Sequence, residues 1–286
     1  MKNFIEFLTL FTFYYLFKIL GLKVSSFLGG LILFCYGLFS KRNKIVKKNL
    51  KKAFPKINSQ QIKKISRKMW FHYGRVVGEY PNLNKIQIGK KKNIIIHNED
   101  HLVLPLEKYS NCLFFSAHIG NWELTSHILT QKGFKINFIY RAPNNKLVDN
   151  LLRKIRTDYG VGLIKKGNQG AKECLKILRS RNGHIGMLID QKMNDGILTN
   201  FFNSRVRSPS AIAKFAIKFK CPIIPAVCIR EGSTNFIITY FKPITPLQIK
   251  QMGNETTIMN HLNSYVEEWI KKNPEQWIWF HNRWND

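Results

Sequence analysis

From residue 93 onward, short β-type runs alternate with helical ones, and this alternation limits the chain to few architectures. Residues 93–96, 112–115, 136–140, 162–164, 184–189, 222–229 and 236–241 are rich in the branched and aromatic side chains that favour strands. Helical patterns fall between and after them, near 121–131, 146–157, 169–181, 209–219 and 255–272. Strand and helix in turn predict an α/β fold, a mostly parallel central sheet flanked by helices. Ligands of such sheets bind beyond the carboxyl ends of the strands. His118, Arg141 and Asp190 each lie just past an expected strand end, so one crevice can hold all three.

The part before residue 93 has a different character. Two apolar blocks, 4–22 and 24–39, are punctuated by Lys18 and Lys23. Crossing a bilayer takes about 20 residues, so the first block is long enough to span. Glu6 and Lys18 near its ends leave two options, one span or a deep interfacial anchor. The weakly basic opening and the lack of a small-residue cleavage site argue against a removed signal peptide. Between Lys41 and Lys68 stand 12 Lys and Arg and no Asp or Glu. Over the whole chain, 46 Lys and Arg against 17 Asp and Glu give a formal charge of +29, which calls for an anionic partner. A basic run directly after an apolar anchor reads as contact with anionic lipid headgroups on the cytoplasmic side; its bland alternative is a solvated helix face. No aromatic-interleaved RNA motif or basic recognition helix is present, so nucleic acid is not expected. A helix is expected over 62–80, stopped by Pro81. The expected organisation is a membrane anchor over 1–40, a basic juxtamembrane helical segment over 41–92 and a catalytic domain over 93–286. Five cysteines with no C-x-x-C pair point to a reducing compartment without a disulfide framework.

The chemistry-bearing stretch is Ser116-Ala117-His118-Ile119-Gly120-Asn121-Trp122-Glu123. An apolar run delivers His118 into a glycine-containing turn, and Glu123 follows where a helix is expected to begin. A histidine beside a carboxylate suits a general base, because the carboxylate fixes the tautomer and stabilises the imidazolium. On one ideal helix a five-residue offset separates two side chains by about 140°. The pair can meet only if His118 lies in the turn before the helix, which Gly120 and Asn121 permit. The structural alternative is a strand-end histidine capped by a nearby carboxylate. His97 and His101 have metal-like i, i+4 spacing, yet no third ligand is evident and no metal is expected. Trp277, Trp279, Phe280 and Trp284 can anchor at a bilayer interface or pack, and packing is expected for at least two.

Taken together, four blocks resemble the lipid A biosynthesis late acyltransferases, the lauroyl and myristoyl transferases of the lysophospholipid acyltransferase superfamily. They are His118 to Glu123; Tyr140-Arg141-Ala142-Pro143 with the following helix carrying Arg153 and Arg156; Gly186-Met187-Leu188-Ile189-Asp190-Gln191; and Phe201-Phe202 with Cys221-Pro222-Ile223-Ile224-Pro225. The resemblance extends from the apolar N-terminus to the tryptophan-rich C-terminus. Asn203 departs from the glycine usual after the Phe pair, and Gln191-Lys192-Met193 departs from the better-known Asp-His-Asp-Tyr version. The resemblance implies acyl transfer from acyl carrier protein to a hydroxyl of a phosphorylated glycolipid acceptor, a lipid A precursor, at the cytoplasmic side of the bacterial inner membrane. His118 would be the general base oriented by Glu123. Asn121, Arg141, Arg156 and Asp190 would bind substrate, with Arg156 the family's essential arginine by register. No cofactor is implied beyond acyl-ACP or acyl-CoA as cosubstrate. The alternative within the same fold is a phospholipid or mannoside acyltransferase using acyl-CoA; outside it, a basic membrane-associated binding protein without catalysis.

Overall fold

The computed structural model describes residues 1–89, 92–181 and 183–284. All seven expected strand regions form strands: β1 (Ile94–His97), β2 (Leu113–Ser116), β3 (Ile136–Tyr140), β4 (Gly162–Lys165), β5 (His184–Leu188), and, after a hairpin of β6 (Ile197–Phe201) and β7 (Ser204–Ser208), β8 (Ile223–Glu231) and β9 (Asn235–Tyr240). They build one seven-stranded sheet in the order β1-β9-β8-β2-β5-β3-β4. Only the β8–β9 pairing is antiparallel; the others are parallel. The α/β class with a mostly parallel sheet is therefore as the alternation requires.

Every residue of β2 is buried, as a central parallel strand with both faces covered should be. Leu113 and Phe115 join the apolar core on one face, and Cys112 and Phe114 the core on the other. Helices α4 (Asp100–Lys108), α5 (Glu123–Gln131), α6 (Lys146–Asp158), α7 (Asn168–Arg179), α8 (Ala211–Phe219), α9 (Pro246–Met252) and α10 (Glu255–Lys272) complete the sheet domain. Trp277, Trp279 and Trp284 are buried in the core.

The β6–β7 hairpin is absent from the sequence expectation. Its two turn residues, Phe202 and Asn203, both have positive φ, 47° and 57°. That is the turn whose twist matches paired strands, and it ordinarily takes Asn-Gly. Asn tolerates left-handed backbone better than most residues, so Asn203 suits this turn without a glycine.

The N-terminal helix α1 (Lys2–Phe39) is long and apolar enough to cross a membrane. It is interrupted at Gly21, whose φ of 74° and ψ of 174° are not helical. Helix α2 (Asn43–Ala53) carries part of the basic run, and its Asn49 donates to the carbonyls of Trp279 and His281, both at 2.7 Å. Helix α3 (Ser59–Glu79) begins at an Asn58 capping box and packs on the second half of α1. The two backbones touch at glycines: a Cβ on Gly74 would lie 2.2 Å from the Gly29 carbonyl oxygen. The end of α3 meets the sheet through Glu79, which receives Arg230 of β8.

Candidate active site

The register of β2 and β5 decides what meets His118. Ser116 pairs with Leu188, the last residues of the two strands, and His118 and Asp190 each lie two residues beyond them. His118 Nδ1 lies 2.9 Å from Asp190 Oδ1, and the His118 backbone N–H donates to Asp190 Oδ2 at 3.0 Å. Trp277 Nε1 donates to the same Oδ2 at 2.7 Å. The Asp190 side chain is fully buried while the His118 side chain keeps 21 % of its surface exposed. Burial pushes the Asp190 carboxyl up, but the charge of His118 and the hydrogen bonds from His118 and Trp277 outweigh it and hold it at about 2. An anionic Asp190 accepts the hydrogen bond of His118 Nδ1–H, which leaves the Nε2 lone pair for chemistry. The side chain beside Nε2 is Gln191, its amide nitrogen 3.4 Å away.

Glu123 was expected to orient His118, and here the structure differs. Its carboxylate receives Arg156 in a two-point fork, Nε to Oε2 at 2.9 Å and Nη2 to Oε1 at 2.7 Å. Tyr80 O–H also donates to Glu123 Oε1 and accepts from Arg156 Nη2 at 2.7 Å. Burial alone would raise the Glu123 carboxyl, yet Arg156 and Tyr80 bring it below the usual carboxylate range. His118 contributes to the same lowering through its charge, so the two groups are neighbours without sharing a hydrogen bond to the ring. The physical reason is helix geometry. Glu123 opens α5 and points toward α6, whereas His118 stands at the start of the turn that leaves β2.

Two expected substrate binders also have other partners. The Arg156 fork, expected on a phosphate, is filled by Glu123 and Tyr80. Asn121, also expected to touch substrate, is completely buried and donates to Glu79 Oε2 at 2.8 Å. Glu79 is itself the centre of a buried cluster, with Arg230 Nη1 at 2.5 Å, Arg230 Nη2 at 2.7 Å and Ser26 Oγ at 2.6 Å. Arg141 differs again: it is exposed at the end of β3, and its charge helps depress His281 beside the crevice.

The turn carrying His118 is clamped from α3. His72 Nε2 lies 3.1 Å from the Gly120 carbonyl oxygen, and Glu79 holds Asn121 one residue on. Burial, then the nearby Arg230, bring His72 down to about 3, so near neutrality its ring is uncharged and Nε2–H donates to that carbonyl. His281 is brought down to about 4, chiefly by burial, and its Nε2 accepts from the Lys192 backbone N–H at 3.2 Å. Gln191 and Lys192 are thereby fixed beside His118.

Tyr80 and Trp277 shape the site without a site role in the sequence reading, and Gln191, there a departure from the better-known motif, is the side chain beside Nε2. Tyr80 had been noted only as the end of a helix before Pro81, and Trp277 only as a packing residue. The signal for Trp277 was present in its indole N–H, which when buried must find an acceptor.

The family model described as bacterial lipid A biosynthesis acyltransferase matches residues 1–286. Among curated proteins, the chain is similar to a lipid A biosynthesis myristoyltransferase of Escherichia coli (strain K12), 21% identical over 170 residues, which cover 58% of this chain and 51% of that protein. It is similar to lipid A biosynthesis acyltransferase 1 of Shigella flexneri to the same extent, 21% over 170 residues with 58% and 51% covered. Lipid A biosynthesis acyltransferase 2 of Shigella flexneri is 21% identical over 172 residues, covering 59% and 54%. The matched segment thus spans about half the length of these relatives.

Proposed function

The chain belongs to the bacterial lipid A biosynthesis acyltransferase family, and we propose that it moves a fatty acyl chain from acyl carrier protein to a hydroxyl of a phosphorylated lipid A precursor. The observation that carries this reading is the His118–Asp190 pair with Nε2 left to receive a proton. The acceptor hydroxyl takes the place of the Gln191 amide at Nε2. As its oxygen attacks the thioester carbonyl, His118 takes the proton and the Asp190 carboxylate stabilises the imidazolium. Collapse of the tetrahedral intermediate breaks the C–S bond, and His118 returns the proton to the departing thiolate. The thioester is already an activated acyl group, so the cosubstrate supplies the driving force of the transfer.

Glu123, Arg156 and Tyr80 form the charged wall beside the base in this scheme. Exposed Arg141 is the better candidate for the acceptor phosphate, since a free guanidinium binds phosphate through two parallel N–H donors. The positive charge of the chain suits both an acidic carrier protein and an anionic membrane, because opposite charge speeds encounter. We place the reaction at the cytoplasmic face of the inner membrane, where the basic run after the apolar helix would lie.

The purified protein, offered acyl carrier protein thioester and acyl-CoA in parallel with a lipid A precursor and a lysophospholipid, tests the donor and acceptor together. Product masses should show one acyl chain added to the lipid A precursor, faster from the carrier protein. Acylation of the lysophospholipid alone, or from acyl-CoA alone, would instead favour the phospholipid or mannoside acyltransferase reading.

A further inference from the structure

Trp277 is only 1% exposed, so its ring is out of reach of any bilayer interface. It stands among Phe201, Trp279 and Trp284, whose ring centroids are 6.1, 4.6 and 6.2 Å away. Packing accounts for the apolar surface of the ring. It does not account for the indole N–H, which donates at 2.7 Å to Oδ2 of the carboxylate that faces His118.

The main chain around Trp277 is tied to the other member of that pair. Trp277 forms an isolated antiparallel bridge with Ile119, the residue after His118. Its neighbour Gln276 accepts the Gly120 N–H through its carbonyl at 3.1 Å. The Gln276 side chain in turn satisfies both backbone groups of Arg230 in β8, accepting at 2.9 Å and donating at 3.0 Å. From α2, Asn49 holds the carbonyls of Trp279 and His281. One short segment therefore grips the His118 turn with its main chain and Asp190 with a side chain, and is itself anchored on α2 and β8.

We infer that Trp277 is a positioning residue of the acyl transfer, the third member of a His118–Asp190–Trp277 relay that sets Asp190 Oδ1 against His118 Nδ1. The role rests on the proposed function and deepens it. Because the Asp190 side chain is fully buried, solvent cannot replace a lost donor. Without the indole N–H, Oδ2 keeps one donor, the His118 backbone N–H, and the carboxylate plane is free to turn about it. Oδ1 then leaves the line of Nδ1, and the base loses the contact that fixes its tautomer.

Replacing Trp277 by 3-benzothienylalanine puts sulfur where the N–H stood and keeps the size of the ring. With acyl carrier protein thioester and a lipid A precursor, kcat should fall about 10- to 100-fold while KM stays near that of the parent, as expected for one hydrogen bond to a charged group. In an Asp190→Asn background the same replacement should cost less than about threefold more, because it acts through Asp190. Trp277→Phe and Trp277→His give a second comparison: both remove the same outer ring, but imidazole Nε2 can stand where the indole N–H stood. The histidine variant should therefore turn over about tenfold faster than the phenylalanine one. Parental kcat in the benzothienyl protein, an undiminished loss in the Asp190→Asn background, or equal turnover of the Phe and His variants would each overturn the role. Failure of the proposed function itself reads differently, as parental turnover of Asp190→Asn alone.

Discussion

The Asp190→Asn protein is expected to fold and to bind substrate, yet to turn over about 10³- to 10⁴-fold more slowly than the parent. The reason lies in a count of donors. Asp190 Oδ2 accepts two N–H groups, from His118 and Trp277, and Oδ1 accepts one, from the His118 ring. Asparagine has a single acceptor oxygen, and the two-donor side claims it. The amide nitrogen then faces His118 Nδ1 and pushes the ring proton onto Nε2, the position that must stay bare to act as base. The negative charge that steadies the imidazolium is lost in the same substitution. Steady-state kinetics with kcat and KM separated should show the loss in kcat with KM little changed. Turnover within about fivefold of the parent would remove Asp190 from the mechanism.

The largest effect on stability is expected from Gly120→Ala. Gly120 has φ of 58°, and a Cβ there would sit 1.7 Å from the Cys228 carbonyl oxygen, inside the backbone of β8. No side-chain rotation relieves that overlap, so either β8 or the His118 turn must move. Left-handed backbone alone costs alanine about 1 to 2 kcal/mol. The displaced strand adds the loss of packing on both sheet faces, which brings the expected total to about 4 kcal/mol or more. Gly133→Ala is the control, because Gly133 has φ of 82° and open space where its Cβ would go. Thermal unfolding in detergent should show a small fall in Tm for Gly133→Ala, and a collapse of Tm or of folded yield for Gly120→Ala.

The sheet was legible because its central strands are buried on both faces and so read as short continuous apolar runs, as at 112–115. The β6–β7 hairpin was not, because its turn is Phe202-Asn203 and lacks the glycine that usually marks such turns. Within the site, the positions of His118, Arg141 and Asp190 at strand ends followed from the pattern alone. Who pairs with whom did not. Asp190 reaches His118 only because β5 is the neighbour of β2, and the order of strands in a parallel sheet is set by contacts remote in sequence. Closeness along the chain favoured Glu123, five residues from His118, over Asp190, 72 residues away. In the same way Arg156 looked available for a phosphate, since nothing near it in sequence announces Glu123 and Tyr80 as its partners. The glycines of the α1–α3 contact looked like ordinary helix residues until the two backbones were seen to touch.

The proposed function stands or falls with His118 as the group that takes the proton of the acceptor hydroxyl. Its most direct test is the single-turnover rate of acyl transfer to a lipid A precursor by folded His118→Ala protein, followed by product mass. The rate should fall by at least about 10³-fold while the Tm stays near that of the parent. A His118→Ala protein that transfers the chain at close to the parental rate would contradict the account.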